Sequence, residues 1–385
     1  MGDRRLIFQT MESGVIKSYI WTFINRFLHY FLILTFALSY LSADIDTLFL
    51  VHIVCGVLFG AGVILRVIWG FIGTKHSRFW DFNYRGILEY LTSILGNKKH
   101  YIGHNPASSV AIILMLGFGF LVVFSGLLQY GAEQNSGIFA PLFFTYSYFC
   151  MGDDLHEFFA NCLLFIVAIH FCGSLIDKFW SKGDAIDSML NGYKRTQKDE
   201  SVSLNPAQKA IFAFFLLFLF ALFLYLLYPK NILLRPSAQD FFTQDSNKTA
   251  FGEYKQECGS CHIAYAPFLL PKSAWDSMMS DLENHFGDDA SLEEETHARI
   301  AAFLEKYASD VVGTKFTQQK ESQQIAITKT PYWEIAHRKL NPKIFTTKAI
   351  KSKANCQTCH KDAESGIFAK NAVEYFKLKS LRENL

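Results

Sequence analysis

The sequence predicts an all-α protein: a transmembrane helical bundle of four helices, a fifth membrane span, and a mostly helical, loop-rich C-terminal domain. Three observations support this prediction. They are five long apolar segments, a polar C-terminal region, and a Cys-x-x-Cys-His motif that occurs twice in that region. Of the 385 residues, 50% are hydrophobic and 16% aromatic, which favours a membrane protein. The lipid bilayer is an expected partner, and a nucleic acid is not.

Each apolar segment approaches or exceeds the roughly 20 residues that a helix needs to cross a bilayer. The segments are about Trp21–Leu41, Leu48–Ile72, Ser108–Tyr130, His156–Ile176 and Ala210–Tyr228. Uninterrupted runs of this length argue against a soluble helical core, which would show an amphipathic pattern. The expected parts are an N-terminal segment (1–20), a four-span membrane domain (21–200), a fifth helix (205–229), a linker (230–249) and a C-terminal domain (250–385).

The distribution of charge predicts the orientation of the spans. Lys and Arg concentrate in the N-terminal segment and in the second and fourth loops, whereas the first and third loops carry Asp and Glu without Lys or Arg. Because cytoplasmic loops are enriched in Lys and Arg, the N-terminus is predicted to be cytoplasmic. After five spans the C-terminal domain lies outside, in the periplasm of a bacterium, and the protein is a multi-pass protein of the inner membrane.

The two motifs in the C-terminal domain are Cys258-Gly-Ser-Cys261-His262 and Cys356-Gln-Thr-Cys359-His360. This pattern is typical of c-type haem attachment, in which two thiols bond to the porphyrin and the adjacent imidazole binds iron. Covalent haem of this kind belongs to the non-cytoplasmic side, which agrees with the orientation predicted from charge. Zinc or redox-dithiol sites are weaker alternatives, because both copies carry the histidine.

Four histidines lie in the apolar spans, where ionisable groups are costly and usually functional. Span direction places His29 and His170 in the inner half of the membrane, and His52 and His156 near the outer face. His170 follows His156 by 14 residues, about 21 Å along a helix and close to four turns, so both share one helix face. Two b haems, each bound by two histidines, would use all four. Interhelical hydrogen bonding and a proton relay are the alternatives.

Residues 20–185 resemble the bacterial cytochrome b561 family, which includes the b subunits of nickel–iron hydrogenases. The resemblance rests on Arg26-Phe-Leu-His29, Val51-His52-Ile-Val-Cys-Gly56, Arg66-Val-Ile-Trp-Gly70, Gly103-His104-Asn-Pro106 and Leu155-His156-Glu157 with His170. It implies a four-helix bundle that binds two b haems at these four histidines and exchanges electrons with membrane quinone. The fifth span, which has no histidine, is predicted to be a connector.

Three further residues of the membrane domain are candidates for cofactor contacts. Arg26 and Arg66 lie towards the cytoplasmic face and could bind propionates of the inner haem, although placement of their charged ends at the membrane interface explains them equally well. A quinone-site role for His104 is a further hypothesis.

The C-terminal domain resembles the bacterial dihaem cytochrome c family over about residues 250–378. Its matching features are Ser273-Ala-Trp275, His285-Phe-Gly-Asp-Asp-Ala-Ser-Leu292, Trp333 with His337, and the second haem motif. The resemblance implies bis-histidine haems with His285 and His337 as distal ligands, and it leaves open which iron each serves. Met278 or Met279 is the competing ligand, and His297 is predicted to lie on a solvated helix face. Helices are predicted over Ser273–Phe286 and Leu292–Ala308.

These features together predict an electron-transfer cytochrome. Electrons from the membrane quinone pool would pass through two non-covalent b haems and two covalent c haems to a soluble periplasmic acceptor, for which a c-type haem protein is one candidate. One alternative is a haem enzyme that reduces peroxide, oxygen or a nitrogen oxide at an exchangeable c haem. Another is a membrane anchor of a redox enzyme complex. A homodimer is left open.

Overall fold

A computed structural model describes residues 15–93, 101–134, 136–139, 152–228, 231–234, 248–312, 325–338, 340–361, 363–366, 368 and 373. The chain divides into two compact units, one formed by residues 1–125 with 154–228 and the other by residues 126–153 with 229–385. Helices dominate both, which confirms the all-α class. Most of the predicted linker, Cys150, Lys98 and Lys99 lie outside the described residues.

Five long helices are apolar enough to cross a membrane. They are α1 (Phe23–Ser42), α2 (Phe49–Ile72), α4 (Pro106–Gln134), α5 (Gly152–Phe179) and α7 (Pro206–Leu227), with short helices α3 (Ile87–Ser93) and α6 (Ala185–Asn191) between them. Helices α4 and α7 begin before their apolar runs because polar residues cap them. The Asn105 side chain accepts a hydrogen bond from the Ser108 amide (2.8 Å), and Asn205 forms a capping box with Gln208.

A two-stranded antiparallel sheet joins the ends of the four-span bundle. Strand β1 (Ile16–Tyr19) precedes α1, and strand β2 (Tyr193–Thr196) follows α6, with Ile16 opposite Thr196. The residues before the first span and after the fourth therefore lie at the same end of this unit, as an even number of crossings requires. An ion pair between Lys75 and Glu200 (2.6 Å) also lies at this end, so the loops rich in Lys and Arg meet there.

Small residues allow the membrane helices to approach closely. A Cβ atom on Gly60 of α2 would lie 2.7 Å from the Val123 side chain of α4, so only glycine fits this contact. Helix α7 packs against α1 and α2 through a buried cluster. That cluster is Ile24, Leu28, Ala61, Leu65, Trp69, Phe215 and Leu219. Of the three cysteines in the spans, Cys55 is buried, Cys162 is partly exposed and Cys172 is exposed.

The second unit contains the Cys-x-x-Cys-His motifs on short helices and turns. Its helices are α8 (Lys248–Glu257), α9 (Lys272–Met279), α10 (Glu294–Lys306), α11 (Ser309–Val312) and α12 (Pro331–His337). Single 3₁₀ turns are Pro267–Leu269, Leu282–Asn284, Ile327–Lys329, Pro342–Thr346, Cys356–Thr358 and Ala363–Ser365; the membrane unit has two more, Asp46–Leu48 and Phe79–Asp81. Phe268, Leu270, Trp275 and Ile300 are buried at its main core.

The predicted helix over Ser273–Phe286 is too long. Helix α9 ends at Met279, and the chain then turns sharply, with φ of 54° at Phe286 and 104° at Gly287. Positive φ angles are incompatible with a right-handed helix, so the chain carrying His285 forms a loop. The second predicted helix, Leu292–Ala308, is confirmed as α10, which is shorter and runs from Glu294 to Lys306.

Candidate haem-binding sites

The first Cys-x-x-Cys-His motif follows α8, and its histidine faces His285. The imidazole centroids of His262 and His285 lie 6.2 Å apart with an interplanar angle of 29°. His262 Nδ1 donates a hydrogen bond to the Ile263 carbonyl (2.7 Å), because a carbonyl oxygen can only accept. The other ring nitrogen, Nε2, therefore carries the lone pair that a metal needs.

The second motif pairs in the same way with His337. The ring centroids of His337 and His360 lie 6.2 Å apart at 80°. His337 ends α12, stacks on Trp333 at 4.3 Å, and donates from Nδ1 to the Trp333 carbonyl (2.8 Å), which orients its Nε2. Burial lowers the pKa of His360 to about 4, so its imidazole is neutral at physiological pH, as iron binding requires.

These distances fit an iron atom between each pair. With metal–nitrogen bonds of about 2 Å on both sides, the centroids of two axial imidazoles lie roughly 6–6.5 Å apart. Burial also raises the pKa of the Cys258 and Cys356 thiols to about 11. Both are therefore neutral thiols before attachment, unlike the low-pKa thiolates of redox motifs.

The competing ligands occupy other positions. Met279 is buried in the apolar core, and Met278 packs against that core. His297 is partly buried, and its Nε2 bonds to the Met279 carbonyl (2.8 Å), so it stabilises the contact between α9 and α10. The expectation that His297 lies on a solvated face is therefore wrong.

In the membrane unit the structure brings His52 of α2 and His156 of α5 together. Their ring centroids lie 6.1 Å apart at 90°, within the range derived above. His52 Nδ1 donates to the Ser39 carbonyl (2.9 Å), and His156 Nδ1 donates to the Val122 carbonyl (3.0 Å). Hydroxyl groups of Ser39 and Ser125 lie 3.4 and 3.2 Å from the same Nδ1 atoms. Sequence reasoning missed both serines.

The other two histidines, His29 of α1 and His170 of α5, lie near each other. His29 Nδ1 is buried and has no hydrogen-bond partner among the residues that the structure describes. His170 lies 14 residues beyond His156 on the same continuous helix, so the two pairs occupy different depths of the bundle.

Known proteins resemble both units. The sequence profile of the family Prokaryotic cytochrome b561 matches residues 14–192. A probable Ni/Fe-hydrogenase B-type cytochrome subunit of Rhizobium leguminosarum bv. viciae is 26% identical over 165 residues, 39% of this chain and 69% of that protein. A probable Ni/Fe-hydrogenase 1 B-type cytochrome subunit of Escherichia coli (strain K12) is 22% identical over 222 residues, which cover 48% of this chain and 94% of that protein.

The profile of the family Dihaem cytochrome c matches residues 254–368. The solved dihaem cytochrome c of Rhodobacter sphaeroides is 32% identical; the match covers 30% of this chain and 94% of that protein, with a TM-score of 0.28. A dihaem cytochrome type c of Shewanella baltica OS155 is 34% identical; the match covers 32% of this chain and 91% of that protein, with a TM-score of 0.28. The chain is a fusion of a prokaryotic cytochrome b561 domain and a dihaem cytochrome c domain. It is a multi-pass membrane protein of electron transport, and its families imply haem b and haem c as cofactors.

Buried polar atoms in the b561 domain test the fit of a haem at the His29–His170 level. Within the described part of the chain, Arg66 Nη1 is buried without a hydrogen-bond partner, and the guanidinium lies 5.6 Å from the Phe79 ring centroid. Arg26 instead donates from Nη1 to the Leu190 carbonyl (2.7 Å), and among the same described residues its Nε has no partner. Since buried polar groups normally have partners, a haem propionate fits Arg66 well and Arg26 poorly.

His104 is buried between aromatic rings, although it lies in a turn before α4. Its ring packs between Phe82 and Trp21, with centroids 4.4 and 4.7 Å away, and its buried Nδ1 has no hydrogen-bond partner in the described ranges. Burial, with smaller contributions from Arg66 and Lys194, lowers the pKa of His104 well below its ordinary value, so the ring is neutral. The sequence signal was the Gly-His-Asn-Pro run before α4.

Proposed function

We propose that the protein carries electrons from membrane quinol to a soluble periplasmic acceptor. Electrons enter at the His29–His170 pair, pass to the His52–His156 pair, and leave through the two covalent sites. When bound, each haem iron supplies one-electron chemistry between its ferric and ferrous states. The observation that carries the proposal is the repeated histidine pairing: three pairs have ring centroids 6.1–6.2 Å apart, as bis-histidine iron sites need.

Histidines on both sides of each iron favour a carrier over an enzyme. An iron with two protein ligands changes charge with little change in geometry and offers no position for a substrate. The protein then contributes position and electrostatics to the cofactor chemistry. The predicted orientation, with a cytoplasmic N-terminus and a periplasmic c domain in a bacterial inner membrane, would deliver electrons to the periplasm.

The first experiment counts the haems. A pyridine haemochrome assay on the purified protein is expected to show b and c haem at about 2:2. The four histidines in the spans would bind two b haems, and each of the two Cys-x-x-Cys-His motifs would bind one c haem. A 0:2 ratio would contradict the b561 half of the proposal. Reduction of the c haems by added quinol in membranes then tests the direction of flow, and its absence would contradict quinol as the donor.

A second candidate is suggested by the names of the relatives, which are b-type cytochrome subunits of Ni/Fe hydrogenases. Under this alternative the protein anchors a redox enzyme complex to the membrane. Co-purification of a stoichiometric catalytic subunit would support the anchor, whereas an active protein isolated alone supports the carrier.

The two arginines of the b561 domain allow a matched prediction. We expect Arg66→Gln to lower the reduction potential of the inner b haem by roughly 50–100 mV, because a nearby positive charge stabilises the reduced iron. Arg26→Gln should have a smaller effect, since the Arg26 guanidinium is bonded to the Leu190 carbonyl. Redox titration of the b bands in both variants checks this. Equal shifts, or a larger shift for Arg26→Gln, would refute the assignment of Arg66 to the propionate.

A further inference from the structure

Tyr265 lies between the two Cys-x-x-Cys-His sites of the dihaem c domain and contacts both. Its ring centroid is 5.0 Å from that of His262, the histidine of the first motif, at an angle of 35°. Its hydroxyl donates a hydrogen bond of 2.6 Å to the Ala354 carbonyl, two residues before Cys356 of the second motif. One side chain therefore connects an expected iron ligand of one site to the attachment segment of the other.

The backbone of Tyr265 is held as well as its side chain. The buried Tyr254 donates from its hydroxyl to the Tyr265 carbonyl (2.5 Å). The next residues extend the contact to the second site: a Cβ on Gly366 would lie 2.7 Å from Ala266 and 3.1 Å from Phe268. Segment 265–268 is thus packed against both halves of the domain.

The geometry of the phenol suits a donor. A carbonyl oxygen can only accept a hydrogen bond, so in the 2.6 Å contact the Tyr265 hydroxyl is the donor and the Ala354 carbonyl the acceptor.

We propose that Tyr265 is a positioning residue that sets the separation and relative orientation of the two c haems and provides a connection between them. The connection runs from the His262 imidazole across the ring contact, through one hydrogen bond to Ala354, and along the backbone to Cys356. This inference rests on the proposed function in one respect, namely that the two c haems act in series.

Two substitutions separate the ring from the hydroxyl. Tyr265→Phe keeps the ring contact with His262 and removes the hydrogen bond to Ala354; Tyr265→Leu removes both. Tyr307→Leu is the matched control, because Tyr307 is a buried tyrosine of the same core that packs on Phe303. All three are made in the full-length holoprotein, and c-haem content is measured first.

The readouts are the rate of electron transfer between the c haems after photoreduction and the Soret circular dichroism, which reports haem–haem orientation. We expect Tyr265→Phe to slow the transfer, because a through-space gap then replaces the hydrogen bond to Ala354, and Tyr265→Leu to slow it further and alter the Soret signal. Tyr307→Leu should leave both readouts unchanged.

Wild-type rates and Soret spectra in both Tyr265 variants would overturn the inference, as would equal changes in Tyr307→Leu. If Tyr265→Leu loses haem, the transfer rate and Soret spectrum of Tyr265→Phe alone test the inference. Photoreduction needs no quinol, so a failure of quinol to reduce the wild-type protein would count against the proposed function and leave this test intact.

Discussion

The His170→Ala variant is expected to lose one b haem and to keep both c haems. His170 is the predicted partner of His29 on another helix, and a non-covalent haem held by one remaining imidazole is weakly bound. The c haems are predicted to be covalently attached through Cys258, Cys261, Cys356 and Cys359, so they should be unaffected. The haemochrome ratio should change from 2:2 to 1:2, and quinol-driven reduction of the c haems should fall to background.

Cys172→Ala is the control for this experiment. Cys172 lies two residues beyond His170 on the same helix and is exposed, so its replacement tests the helix without touching a predicted ligand. It should keep the 2:2 ratio. Retention of both b haems in His170→Ala would show that the inner site uses another ligand, and loss of both would show that His170 is needed for folding of the bundle.

The second large effect is expected at the distal ligands of the c haems. His285→Ala and His337→Ala should each keep two covalent c haems but convert one of them from low spin to high spin, because the thioether bonds hold the haem while one axial position opens. Each variant should then bind about one equivalent of carbon monoxide, where the wild type binds none. Electron paramagnetic resonance and carbon monoxide difference spectra measure both changes.

The same spectra separate the carrier from the enzyme. A high-spin signal or carbon monoxide binding in the wild-type protein would mean that one c haem has an exchangeable position, which favours reduction of a small oxidant. His297→Ala is the matched control, since the structure gives His297 a hydrogen bond to the Met279 carbonyl. It should stay low spin.

Local sequence properties predicted the membrane half well. Apolar length located all five spans to within a few residues, and helix periodicity put His156 and His170 on one face of α5. Apolar length did not predict the caps formed by Asn105 and Asn205, which account for the early starts of α4 and α7. Nor did the helix pattern reveal that α9 ends at Met279, before the turn at Phe286 and Gly287.

The sequence by itself determined the chemistry of this protein: two covalent haem motifs, four membrane histidines sorted by depth, and two spare histidines in the c domain. These properties follow from residue type, span length and helical repeat, all of which act over short stretches of chain. Only the tertiary structure decided that His285 faces His262 and that His337 faces His360. It also decided that Arg66 has a guanidinium nitrogen with no partner among the described residues, whereas Arg26 bonds to Leu190. The physical reason is that these contacts join residues through loops whose course is set by packing in three dimensions, which spacing along the chain does not specify.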